Sequence, residues 1–165
     1  MRLPFRLSLL AITTSLCACS TVQSPSIMPP DTTQEAFRLE ASGEQVFRCR
    51  IDAHGWFWKF EAPNAYLFDP ETNQAVAKHG YNFTFVHNDG SKLKTNIVST
   101  EPRQGNDLPE ALFVVNDSTY FGKFAQVKYV QRLNTKGGVP VIKCSKEKNG
   151  QLARVPFSAE FVFFK

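Results

Sequence analysis

His79 and Asp89 are the residues of this chain with the most direct claim to acid–base chemistry. A histidine titrates near neutral pH and can pass a proton or ligate a metal. A carboxylate can orient it. The two flank one alternating segment, so a neighbouring strand has to supply the contact. They stand as weak catalytic candidates. Gln131, Arg132 and Asn134 form the densest polar cluster. Arg132 offers a planar fork for a carboxylate. Strand alternation places Gln131 with Leu133 on one face and Arg132 with Asn134 on the other. These three are binding candidates, or else a buried network that sets register. His54-Gly55-Trp56-Phe57-Trp58 is an aromatic run that suits a platform for sugars or lipids, or core packing.

Other chemistries lack their residues. His54, His79 and His87 show no metal-ligand spacing, so no metal or other cofactor is expected. There is no Gly-x-Ser-x-Gly elbow and no phosphate-binding loop. The acids are scattered in or near turns.

The cysteines carry the address. Arg2 and Arg6 precede an apolar stretch from Leu7 to Leu16, and Leu16-Cys17-Ala18-Cys19 closes it. That is the layout of a secretory signal peptide, and its end resembles a bacterial lipobox. Residues 1–18 then form the signal, and Cys19 is the acylated N-terminus. The expected location is the bacterial cell envelope, anchored to a membrane through the lipid. Ordinary cleavage after Ser20 is the alternative and gives a soluble secreted or periplasmic protein. Removal of Arg2 and Arg6 takes the formal net charge from +4 to +2, too little to argue for nucleic acid. Cys49 and Cys144 remain as an even pair. In an oxidising compartment they read as a disulfide, with two buried free thiols as the other possibility.

The elements that must position these groups are strands. Residues 19–42 read as a polar, Pro-containing tether; Thr32-Thr33-Gln34-Glu35 has capping-box spacing, which allows a short helix over Ala36–Glu40. From Gly43 the period is two: Phe47, Cys49, Ile51; Tyr81, Phe83, Phe85, His87; Leu93, Thr95, Ile97; Val127, Tyr129, Gln131, Leu133; Phe161, Phe163. The last run is apolar on both faces, as in a strand covered on both sides. Asn88-Asp89-Gly90-Ser91 is the strongest hairpin turn. Asp69–Asn73, Asn116–Ser118, Lys136–Gly138 and Lys148–Gly150 are further breaks. Fifteen Phe supply ample core material. Residues 43–165 are therefore expected to form one all-β domain, an antiparallel sandwich or barrel of short strands with one disulfide.

From Gly43 to Phe164 the chain resembles a family of secreted bacterial and fungal proteins known as domain of unknown function 3455. The resemblance rests on Gly43–Cys49, Trp58–Pro63, His79, Thr84-Phe85, Asp89-Gly90-Ser91, Tyr129–Gly138, Cys144 and Val155-Pro156-Phe157. It implies the Cys49–Cys144 pairing and an all-β fold, and no activity. The chain departs from the family pattern in having Asn82-Phe83 for Gly-Pro, Phe85 for Trp, and Glu110 for the Trp that often follows the Pro matched by Pro109. If those tryptophans line a ligand site, the site is altered in this member. The expectation is a non-enzymatic envelope module that binds a small ligand or an envelope protein. The alternatives are a small hydrolase or metal-dependent enzyme using His79, Asp89 and Arg132, and a purely structural lipoprotein.

Overall fold

The computed structural model describes residues 26–165. The signal segment, Cys19 and the start of the expected tether, up to residue 25, lie outside the described residues. Eight strands follow one another in chain order: β1 (Glu35–Asp52), β2 (Gly55–Phe68), β3 (Ala75–Gly80), β4 (Thr84–His87), β5 (Lys92–Glu101), β6 (Glu110–Ser118), β7 (Tyr129–Gly137) and β8 (Leu152–Phe164). Every neighbour is antiparallel, and β8 pairs with β1 to close a barrel. Of the two architectures left open by the sequence, the barrel is the one formed.

Alternation decides what fills it. Leu39, Ala41, Ala65, Leu67, Ala77, Phe85, Leu93, Ala111, Phe113, Val130, Phe161 and Phe163 form one buried core. With Ala159 of β8, alanines on five strands stand among phenylalanine rings on three, so small positions make room for large ones. Eight strands enclose an interior just wide enough for side chains. Phe85 packs edge-on to Phe113, Phe161 and Phe163. Phe37 and Phe124 stack on Phe163 at one end, and Phe83 stacks on Phe60 at the other. The inside is a packed core.

Three local expectations are corrected. Ala36–Glu40 is strand, not helix, and β1 begins at Glu35, well before the Gly43 boundary; pairing with Phe161–Phe164 of β8 outweighs the capping-box signal. Tyr81–Phe83 is a 3-10 turn, so β4 starts only at Thr84. Asn82 and Phe83 both take left-handed backbone angles there, and two such residues in succession break the extended run. Asn116–Ser118 is the end of β6 rather than a break, held by pairing of Asp117 and Ser118 with β5.

Three strands outrun the barrel. β2 meets β3 only over Ala65–Phe68, and β7 reaches β8 only as far as Gly137 opposite Phe157. Beyond those points β1, β2 and the first half of β8 continue as a three-stranded tongue with β1 in the middle. Gly43 sits where the tongue leaves the barrel. A Cβ there would lie 2.3 Å from the Asn64 carbonyl oxygen and 2.5 Å from the Ala65 Cα, so only glycine admits this approach of β1 to β2.

Candidate functional site

His79 points into the barrel from β3. It is 2% exposed. Its ring lies 4.0 Å from that of Phe85 and nearly parallel to it, with Phe161 at 5.3 Å. Nδ1–H donates to the Thr84 carbonyl at 3.3 Å, and Nε2 has no protein partner among the described residues. Burial pushes its pKa down to about 3; the hydrogen bond to Thr84 opposes this and the nearby Arg132 charge adds to it.

Asp89 is elsewhere. It lies in the β4–β5 turn, where Oδ1 accepts hydrogen bonds from the Ser91 N–H (2.8 Å) and hydroxyl (2.6 Å) and Oδ2 accepts from the Lys123 N–H (2.7 Å). The histidine beside it is His87, 3.1 Å away. Ser91 Oγ in turn accepts from the Phe124 N–H. The Ser91 hydroxyl, assisted by backbone N–H groups and His87, holds the Asp89 carboxyl far below the usual carboxylate range. Asp89 thus staples the β4–β5 turn to the β6–β7 loop and seats Phe124 in the barrel's end. His79 and Asp89 are not brought together, and His79 faces phenylalanine rings rather than a cleft.

The polar cluster of β7 divides three ways. Arg132 points inward, 5% exposed, and rests over the Phe113 ring at 5.6 Å. Its Nε–H and Nη2–H both donate to the Pro109 carbonyl, at 3.2 and 2.7 Å. Burial lowers its pKa to about 10. Gln131 points outward yet is buried, because Ser26–Met28 crosses the outside of the barrel there. Its Nε2–H donates to the Ile27 carbonyl at 3.0 Å, and Ser99 Oγ–H donates to the Ser26 carbonyl. Ile27, Leu112 and Val162 are buried on this outer face, so β8 is covered on both sides. Asn134 stands in a bulge with φ +52°. Its N–H donates to Glu110 and its amide to Glu160. Each of the three ties β7 to a different part of the fold: Gln131 to the Ser26–Met28 segment, Arg132 to the β5–β6 loop and Asn134 to the neighbouring strands.

Phe85, one of the departures from the family pattern, is fully buried in the core. Glu110, another, accepts from Asn134 and pairs with Arg103 at 3.5 Å. Among the described residues no group of three His, Cys, Asp or Glu side chains could hold a metal ion.

A concave feature of the described residues lies on the tongue. A slot of about 570 Å³ runs between the first half of β8 and the segment Gly138–Ile142, with Trp58, Val139, Pro140, Ile142, Leu152 and Val155 among its walls. Three ties hold its outer wall. The Val139 N–H donates to the Asn106 carbonyl. Trp58 Nε1–H donates to the Ile142 carbonyl at 2.6 Å. Cys144 is disulfide-bonded to Cys49, their Cα atoms 5.4 Å apart. Cys49 and Trp58 are direct cross-strand partners, so bridge and indole brace the segment side by side. Val141 and Ile142 are nonetheless 69% and 63% exposed, an uncommon price for apolar residues beside a framed groove. The platform reading of the Trp56–Trp58 run touches this slot through Trp58. Residues 138–142 and 152–156 were not singled out as a site by sequence reasoning. Pro156 inside a strand was the available signal, since proline in a sheet marks an edge.

The family profile described as "Protein of unknown function (DUF3455)" matches residues 29–165. No curated protein and no solved structure matches the chain.

Proposed function

The chain belongs to the DUF3455 family of proteins of unknown function, and from that premise we propose that it is a non-enzymatic binding module of the cell envelope, exported by residues 1–18 and held to a membrane by acylated Cys19. The slot on the tongue carries the binding reading. Its lining is mostly apolar, its outer wall is braced by a disulfide and an indole hydrogen bond, and apolar side chains stay exposed at its rim. Ligand sites are concave, largely apolar and pre-formed. The bridge itself suits an oxidising compartment. His79 favours no hydrolytic reading, because its ring faces Phe85 and Phe161 inside a filled barrel.

Trp56 and Trp58 are the two tryptophans, so a Trp56→Phe variant makes Trp58 the sole indole reporter. Titration with acyl chains, glycans and peptides in separate series should give one class that shifts Trp58 emission saturably. Ala153→Phe, which fills the slot, should abolish the shift. Absence of a saturable response from every class would overturn the binding reading. Mass spectrometry of the native protein checks the anchor: acyl groups on an N-terminal Cys19 are expected, and an unmodified N-terminus at Thr21 would overturn it.

A further inference from the structure

The slot is also a sheet edge. Cys49 N–H donates to the Gln151 carbonyl, and Gly150 N–H donates to the Cys49 carbonyl. Antiparallel alternation from that point turns Ala153 and Val155 toward β1 and turns the N–H and C=O groups of Leu152 and Arg154 away from it. Those groups face the side that β7 has already left. Among the described residues no turn, loop or side-chain hydrogen bond reaches them. Pro156, which has no N–H to offer, stands in the same outward register. The stretch Leu152–Pro156 is therefore an unpaired strand edge about 17 Å long, walled on its far side by Gly138–Ile142.

We propose that this edge accepts an extended peptide segment of a partner protein as an added strand, with acidic residues flanking apolar ones. The proposal rests on the binding reading above and deepens it. A strand laid along β8 would satisfy the orphan groups of Leu152 and Arg154 and place every second side chain against Trp58 and Val139. Charge selects the flanks. The two charged residues that line the slot, Lys148 and Arg154, are both cations. Lys148 makes no ion pair among the described residues, and Arg154 has only an exposed contact with Glu44 at 3.3 Å. An acyl chain would meet the apolar walls but leave the backbone groups unpaired.

The test selects displayed random seven-residue segments on the full chain. Enrichment of segments with alternating β-branched residues and at least one acid is expected. A synthetic peptide of the enriched sequence should slow amide exchange at Leu152 and Arg154. The charge reversal Lys148→Glu with Arg154→Glu should weaken it at least tenfold, and Leu152→Pro, which removes one edge donor, should weaken it without unfolding the domain. Peptides that need Trp58 but leave the Leu152 and Arg154 amides exchanging would overturn strand addition and leave the slot reading standing. Binding of laurate with no peptide enrichment would replace the peptide by an acyl ligand. No enrichment and no Trp58 response to laurate would remove both readings.

Discussion

His79 is a titratable ring held among phenylalanines, and its burial has a measurable consequence. The unfolded chain takes up a proton near pH 6.5, whereas the folded chain resists until about pH 3. The unfolded state therefore binds more protons across that window, and acidification favours it. Stability should be complete above pH 6.5 and fall by roughly 1.4 kcal/mol for each pH unit below. His79→Phe should flatten the melting temperature between pH 6.5 and 4 and change neutral stability by no more than about 1 kcal/mol, since it removes an unpartnered nitrogen along with the Thr84 bond. Thermal melts across pH check this; an unchanged slope in the variant would assign the acid sensitivity to another group. Much of the residue-level chemistry was visible beforehand in kind, but not in arrangement. Composition marks His79, Asp89 and Arg132 as noteworthy. Only the closure of the barrel decides that Arg132 and His79 share an interior while Asp89 staples a distant turn.

At the scale of elements, the tongue depends on one glycine and one bridge. Gly43→Val should be far more damaging than a strand-favouring substitution ordinarily is, because its Cβ would fall on the Asn64 carbonyl and the Ala65 backbone. A loss of about 3 kcal/mol or more is expected in urea unfolding. The disulfide spans 95 residues of sequence, and its removal by Cys144→Ser should cost roughly 4–5 kcal/mol in the chain-entropy model. Under reducing conditions wild type and variant should melt alike. Hydrogen exchange should localise the loosening to Gly138–Ile142 if the bridge braces the slot. The strands and the Asn88–Ser91 turn were readable from period-two alternation and turn chemistry. The slot was not, because its apolar run Val139–Ile142 has no strand partner and therefore no periodicity to read. The 3-10 turn at Tyr81–Phe83 was missed for a related reason: alternation continues through it, and nothing in residue type announces a left-handed Phe83.

Over the whole molecule, the first and last strands are neighbours. β1 and β8 pair from Glu35 with Phe164 to Arg48 with Leu152, and Lys165 exchanges backbone hydrogen bonds with Gln34. A chain ending before Leu152 would leave β1 and β7 as bare edges and uncover Phe85 and Phe113. Such a truncation should be recovered as aggregate or as an ANS-binding, partly ordered species rather than as a smaller folded domain. Size-exclusion chromatography with near-ultraviolet circular dichroism checks it. The same seam sets the timetable of folding. Its contacts join the first strand to the last, so closure comes late and slowly, and no stable barrel exists while β8 is still being synthesised. The nascent polypeptide thus stays threadable for as long as the thirteen residues of β8 are missing.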